Sequence, residues 1–336
     1  GPDEAARVDD KLLASMHGVF TLGQVPLTVS PSIGISLFPE HATTGDALLR
    51  CADAAMHHAK ESGRGNRQFY TPSMEASAID VLQHERLLRE AIVDNAFVLH
   101  YQPQISLEDG SLQGLEALVR WRHPQRGLVG PDEFITFSES RGLITPIGRW
   151  VMREACRQLK EWQDEGLALV PVAVNLSALE FRQRDVAGEI AAALRDTGLA
   201  PQYLGIELTE SVLMHQTGQV LDTLNALKAL GVGISIDDFG TGYSSLAYLK
   251  RYPIDSLKID RSFVVDTPGN PDDVAIVTAV IQMARSLQLK TVAEGVETPA
   301  QVQLLKGLGC DLIQGHVVSV PLDAVALQRW MRDLPV

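Results

Sequence analysis

Beyond residue 97 the chain settles into a regular alternation. Short apolar runs, each closing on polar residues, recur at Phe97–Gln104, Gly114–Arg120, Val170–Asn175, Leu204–Thr209, Gly233–Asp238, Ser256–Asp260, Lys290–Glu294 and Asp311–Gln314. Runs of this length and composition read as strands. Between most of them apolar residues fall three and four apart, at Ile147–Glu165, Ala178–Asp196, Ser211–Leu230, Asp272–Leu287 and Pro299–Leu308, which predicts helices. Strand–helix alternation implies a parallel sheet, and eight strands over about 240 residues predict an α/β fold of the (β/α)8 TIM-barrel type. One connection breaks the rule. Only Ile105–Gln113 separates the first two strands, with Asp109-Gly110 in the middle. A parallel crossover needs a dozen or more residues, whereas Asp-Gly between strands signals a hairpin. The first strand is therefore predicted to run antiparallel to the second, giving a modified barrel.

The first 75 residues have a different rhythm, mixed α and β. Lys11–Met16 ends a helical pattern, Leu27–Leu37 reads as a strand, and Gly45–Ser62 is an Ala-rich helix. Gly63–Asn66 breaks that helix, and Arg67–Tyr70 reads as a short last strand. Thr71-Pro72-Ser73 marks a boundary, and Ile79–Asn95 is a connecting amphipathic helix with a charged outer face. The predicted organisation is a partial α+β segment at 1–75, a linker helix at 76–96 and the barrel at 97–336.

Composition narrows the function. With 29 Lys+Arg against 42 Asp+Glu the net charge is −13, which argues against a nucleic-acid polymer as partner because phosphate binding needs clustered cations. The apolar share of 45% suits a packed globular chain rather than a disordered one. Three cysteines, Cys51, Cys156 and Cys310, are widely spaced and odd in number, so neither a disulfide framework nor a zinc knuckle is expected and a reducing, cytoplasmic setting fits. No apolar run approaches the ~20 residues of a membrane span. The N-terminal Gly1-Pro2 reads as a cloning remnant, and the anchor of a membrane-bound parent would lie outside this sequence.

Barrel enzymes keep their chemistry at the C-terminal ends of the strands. Here those ends bring Glu116, Asn175, Glu207, Asp237-Asp238, Lys258 with Asp260, Glu294 followed by Glu297, and Gln314. One such residue could be a solvated surface group or a turn residue, but seven consecutive strands each delivering a polar group to one rim are hard to explain so. Glu116, Asn175, Glu207 and Asp237 are oxygen donors, and no His or Cys pair has metal-ligand spacing. Hard oxygen ligands suit Mg²⁺ or Mn²⁺ rather than Zn²⁺. Crowded carboxylates repel, and two divalent cations would relieve this while activating water against a phosphoryl group. Lys258 and Arg120 would add positive charge for phosphate oxygens. Phosphodiester hydrolysis is the expected reaction.

The segment Leu115–Trp121, LEALVRW, resembles the defining motif of the EAL family of cyclic di-GMP phosphodiesterases. Tyr101-Gln102-Pro103, Val174–Ser177, Glu207–Glu210, Asp237–Ser245 (DDFGTGYSS), Leu257–Arg261, Ala293–Glu297 and Gln314-Gly315 match in order. The resemblance implies the modified barrel, hydrolysis of cyclic di-GMP to linear pGpG, and a role for each matching residue. Glu116, Asn175, Glu207 and Asp237 would ligate metal, with Asp238 on a second ion. Lys258 would orient water or a phosphate oxygen, and Glu294 would act as general base or close the metal site. Arg120 would bind phosphate, and Gln102 and Gln314 would seat the guanines. Glu297 would hold the loop after strand five, Phe239–Ser245, with Phe239, Gly240, Thr241 and Gly242 supporting a homodimer through that region. The sequence departs from the family at Thr136 and at His316–Val320, where an aromatic residue, a Phe and a basic residue are replaced, which bears on substrate affinity.

Ser32–Ile35, Phe38-Pro39 and Ala52–Lys60 look like the C-terminal half of a GGDEF diguanylate cyclase domain. No Gly-Gly-Asp-Glu-Phe occurs, so cyclase activity is expected to be absent, and the strand Leu27–Leu37 is expected to pack on the linker helix or a second chain. Two other readings compete with the phosphodiesterase: a non-catalytic cyclic di-GMP receptor, disfavoured by the full set of ligands and base, and a Schiff-base aldolase using Lys258, disfavoured because neighbouring carboxylates raise a lysine's pKa.

Overall fold

A computed structural model of the chain describes residues 2–333 other than 17–18, 23–24, 29, 63–64, 184, 214–217 and 242–248. Its contacts divide the chain into two units, Gly1–Glu90 and Ala91–Val336.

In the first unit, a helix at Pro2–Met16 precedes the antiparallel pair β1 (Val19–Leu22) and β2 (Val25–Thr28). β3 (Ile33–Ile35) pairs in parallel with β4 (Arg67–Phe69) across the helix Gly45–Glu61. The expected strand Leu27–Leu37 is thus two strands, interrupted around Pro31, which has no N–H to give a ladder. Thr44 caps the helix by accepting from the Ala47 N–H. Gly34 lets the helix lie directly on β3, because a Cβ there would fall 1.9 Å from the Ala52 carbonyl oxygen. Cys51, Ala55, Tyr70 and Met74 form the small core of this unit. The helix that continues from here, Pro72–Val93, has no break at residue 76.

The second unit is a closed barrel. Its strands are β5 (Phe97–Ser106), β6 (Leu112–His123), β7 (Gly127–Val129), β8 (Val172–Leu176), β9 (Leu204–Thr209), β10 (Gly233–Phe239), β11 (Ser256–Ile259), β12 (Lys290–Ala293), β13 (Leu312–Ile313) and β14 (Leu322–Asp323). Eight of them close the ring in the order β5-β13-β12-β11-β10-β9-β8-β6, and β6 returns to β5. β5 runs antiparallel to both neighbours, and the other barrel pairs are parallel. β5 and β6 therefore form the hairpin expected from Asp109-Gly110. Gly110 takes a left-handed φ of 76°, and the Asp109 carboxylate accepts from the Ser111 N–H and hydroxyl. β7 and β14 are short flanking strands, antiparallel to β6 and β5.

Helices at Ile144–Asp164, Val186–Thr197, Gly218–Leu230, Pro271–Ser286 and Pro299–Leu308 belong to this unit. The single helix expected over Ala178–Asp196 is two, Ala178–Gln183 and Val186–Thr197. Asp185 restarts it by accepting from the Gly188 N–H. Successive strand residues face opposite sides, so Ile206 and Leu208 share one face of β9 while Gly205 and Glu207 share the other. Ile206, Leu208, Ile234, Ile236, Leu257 and Ile259 are all fully buried, each contributing roughly 1.5–3 kcal/mol. Glu207 and Lys258 are equally buried on the opposite faces of β9 and β11. No helix among the described residues is long and apolar enough to cross a membrane.

Candidate active site

Strand period and register bring the polar groups to one place. Glu116 on β6 lies level with Ala173 on β8, and Asn175 lies level with Glu207 on β9. Asp237 and Asp238 lie in the last three residues of β10, Lys258 lies within β11, and Glu294 and Gln314 directly follow β12 and β13. The backbone fixes these last two: the Glu294 N–H donates to the Ile259 carbonyl, and the Gln314 N–H to the Ala293 carbonyl.

Lys258 is the hub. Its ammonium, 1% exposed, lies 2.6 Å from Glu294 Oε1, 2.7 Å from Glu207 Oε2, 3.2 Å from Glu116 Oε2 and 3.2 Å from Asp237 Oδ1. Burial alone would discharge the lysine, but the surrounding carboxylates hold its pKa well above the ordinary value. It stays a cation, which removes the Schiff-base reading: an amine nucleophile must be neutral.

One ammonium cannot balance all its neighbours. Glu116 is pushed up by burial, but Lys258 and the amides of Gln314 and Asn175 outweigh this and keep it ionised below the usual range. Asn175 Nδ2 donates to Glu116 Oε1 at 2.6 Å, and Gln314 Nε2 donates to Oε2 at 2.6 Å. Glu207 is pushed well up by burial and by the Glu116 charge. Glu294 is raised to about 8, mainly by burial. Asp238 is raised to about 6 by burial, then by the neighbouring Asp237 and Asp260. Its backbone is left-handed, with φ 53°, an uncommon conformation for a residue other than glycine.

Among the described residues, two carboxylate groups have oxygens close enough to share an ion, all within 4.8 Å of one another: Glu116, Glu207 and Asp237, and Asp237, Asp238 and Glu294. They share Asp237. The donor set is oxygen throughout, with a surplus of negative charge that one lysine leaves uncompensated. These residues therefore fit a pair of hard divalent cations.

Other expected site residues are placed as follows. Gln102 is buried beside Gln314, accepting from its amide at 3.0 Å. Arg120, on the Glu116 face of β6, is half-buried, and its guanidinium donates to the Val119 carbonyl; burial lowers its pKa. Phe239 is buried, and Thr241 donates its hydroxyl to the Asp238 carbonyl. Gly240 has φ 105°, and a Cβ there would fall 2.9 Å from the Phe263 ring, so glycine is required on both counts. Gly242 and the rest of the loop to Ser245, with the dimer contact expected there, lie outside the described residues. The Glu297 carboxylate pairs with Arg261 at 3.0 Å and its N–H donates to Gln301, while most of the loop it is expected to hold lies outside the described residues. The described contact to the loop comes from Glu210, which accepts from the Gly240 N–H at 3.2 Å. Glu210 stands three residues after Glu207, and its depth (4% exposed) was the property that spacing alone did not reveal. Gln104, buried two residues beyond Gln102 on the same face of β5, also joins the site.

This arrangement, with a family motif on nearly every strand, can be set beside known proteins. A family model described as "EAL domain" matches residues 85–321. The chain belongs to the EAL domain family. A second model, "Diguanylate cyclase, GGDEF domain", matches residues 1–66. Two Pseudomonas aeruginosa proteins are similar over nearly the whole chain. Cyclic di-GMP phosphodiesterase NbdA is 44% identical over 329 residues, 98% of this chain and 42% of that protein. Bifunctional diguanylate cyclase/cyclic di-GMP phosphodiesterase MucR is 45% identical over 326 residues, 97% of this chain and 48% of that protein. The chain thus spans less than half the length of these relatives. A solved structure of the PaMucR phosphodiesterase in complex with c-di-GMP aligns with a TM-score of 0.71 and 48% identity, covering 73% of this chain and 99% of that one. Membership of the EAL family agrees with the modified barrel and with the N-terminal GGDEF fragment.

Proposed function

We propose that this chain hydrolyses cyclic di-GMP to linear pGpG with two bound Mg²⁺ or Mn²⁺ ions. The observation that carries this is the pair of carboxylate groups sharing Asp237 at the strand ends. Membership of a family whose similar members are named for cyclic di-GMP hydrolysis supplies the substrate. Glu116, Asn175, Glu207 and Asp237 would hold one ion, and Asp237 with Asp238 the other. When bound, the ions would polarise the phosphodiester and lower the pKa of water.

The chain's own groups do the rest. Lys258, permanently charged, orients an attacking water or a phosphate oxygen while keeping Glu116, Glu207, Asp237 and Glu294 in register. Glu294, with a pKa near the working pH, takes the proton of the water. The new bond joins water oxygen to phosphorus, and the bond from phosphorus to one 3′ oxygen breaks with its electron pair, leaving a 5′-phosphate and a 3′ oxygen that takes up a proton to become a hydroxyl. Arg120, on the Glu116 face of β6, would meet a phosphate oxygen.

The test is chromatography of products from cyclic di-GMP incubated with the protein in Mg²⁺ or Mn²⁺, with and without chelator. Metal-dependent pGpG is expected, and its rate should rise from pH 6 to pH 8. The sign follows from the proton competing with the cation and with base function: Asp238 loses its proton near 6 and Glu294 near 8. Binding without turnover would reject catalysis, and chelator-resistant turnover would reject the metal site.

A further inference from the structure

Three buried side-chain amides and the Glu116 carboxylate form one directed chain of hydrogen bonds. Gln104 Nε2 donates to Gln314 Oε1 at 2.9 Å. Gln314 Nε2 donates to Gln102 Oε1 at 3.0 Å and to Glu116 Oε2 at 2.6 Å. Gln102 Nε2 donates to the Ser319 carbonyl at 3.1 Å. Gln104, Gln314, Gln102 and Glu116 are all buried. Each amide in turn donates onward, Gln104 to Gln314, Gln314 to Gln102 and Glu116, and Gln102 to the Ser319 carbonyl.

We propose that Gln104 is a positioning residue that sets the direction of this relay and so aims Gln314 and Gln102 at Glu116 and at the Ser319 tail. The inference rests on the phosphodiesterase reading for its kinetic consequences and deepens it. An amide has two ends of nearly equal size, and only its partners decide which end points where. Gln314 faces two acceptors on one side, Gln102 Oε1 and Glu116 Oε2, so it must present its NH₂ group there and its oxygen toward Gln104. That oxygen, buried, needs a donor. Gln104 supplies it. The space for Gln104 is built in: it lies opposite Gly114 in the β5–β6 register, and a Cβ on Gly114 would fall 2.8 Å from Gln104 Oε1. The relay ends on the Ser319 carbonyl, so the same device ties the segment after Gln314 to the carboxylate.

Reversing the sense of position 104 is the decisive change. In Gln104→Glu, with almost unaltered volume, the carboxylate can only accept while it is ionised, so this variant is read across pH and compared above its own titration. Gln314 must then turn over to donate to it and present its oxygen to Glu116 and Gln102. Gln104→Met removes the donor without adding charge. The experiment uses the whole chain and compares wild type, Gln104→Glu, Gln104→Met, Gln314→Met and the double variant Gln104→Met/Gln314→Met. Measured are melting temperature, Mn²⁺ affinity, kcat and KM for cyclic di-GMP, and solvent exchange of the Gln314 side-chain amide, identified as the signal missing from Gln314→Met.

The proposal expects Gln104→Glu to lower Mn²⁺ affinity and kcat by roughly 10–100-fold, as loss of an outer partner of a metal ligand does. Gln104→Met should do so less, with faster exchange of the Gln314 amide in both. The double variant should be no worse in kcat and Mn²⁺ affinity than Gln314→Met alone, since Gln104 acts through Gln314. Wild-type kcat and Mn²⁺ affinity in Gln104→Glu, or losses that multiply in the double variant, would overturn it. A loss confined to melting temperature would also overturn it, leaving Gln104 a packing residue. If the wild type hydrolyses nothing, the phosphodiesterase reading fails, while amide exchange at Gln314 still decides the relay.

Discussion

Replacing Glu116 by glutamine is expected to reduce cyclic di-GMP turnover by at least about 10³-fold, roughly 4 kcal/mol of transition-state stabilisation, with the barrel still folded. Glu116 is where three strands' side chains converge, accepting from Asn175, Gln314 and Lys258. The swap keeps an acceptor oxygen and the volume, but removes the one carboxylate of the cluster that its neighbours hold ionised below the ordinary range. The remaining carboxylates gain from losing a like charge, but Lys258 loses a counter-charge and the new NH₂ end meets a donor, so a modest drop in melting temperature is expected beside the much larger loss of turnover. The check is a rate measurement beside a melting curve. Near wild-type turnover would show that Glu116 does not carry the metal site.

The second large effect is expected from Lys258→Met, and here stability should fall along with activity. The lysine is the counter-charge of Glu116, Glu207, Asp237 and Glu294, and removing one partner of such a buried pair costs about 3–5 kcal/mol. The pH dependence of that cost has a definite sign. Lys258's folded pKa lies above the unfolded value, so its own contribution is fully present below about 10.5 and is constant over the working range. Glu207 and Glu294 also have raised folded pKa values, that of Glu294 about 8, so they take up protons in the folded state as pH falls. A protonated carboxyl needs no counter-ion. The variant's stability deficit against wild type should therefore be largest at pH 8–9 and shrink toward pH 5, as read by denaturant melts in chelator. A deficit that does not change with pH would mean the carboxylates are not sensing Lys258.

Much of this was legible along the chain because barrel strands advertise themselves. The alternation of strand and helix, the nine residues from Ile105 to Gln113 that are too few for a crossover, and the polar residue closing each strand are local features, and the observed β5–β6 hairpin and polar rim follow from them. The helix expected over Ala178–Asp196 failed as one element because an Asp inside an apolar-periodic run reads as a tolerated polar position, whereas Asp185 here caps a new helix. Pro31 likewise divides a β-branched run that looked continuous. The roles of Gln104 and Glu210 were illegible for a different reason. Each depends on which buried partner lies across the barrel, Gln314 for one and the Gly240 N–H for the other, and such pairings are set by register between segments 30 to 210 residues apart.

The most direct test of the central claim is the location of manganese in crystals of this chain grown with Mn²⁺, read from anomalous scattering at the manganese edge. The account predicts two peaks that share Asp237, one against Glu116, Asn175 and Glu207 and the other against Asp238. Manganese found elsewhere, or absent from these carboxylates at saturating concentration, would contradict it.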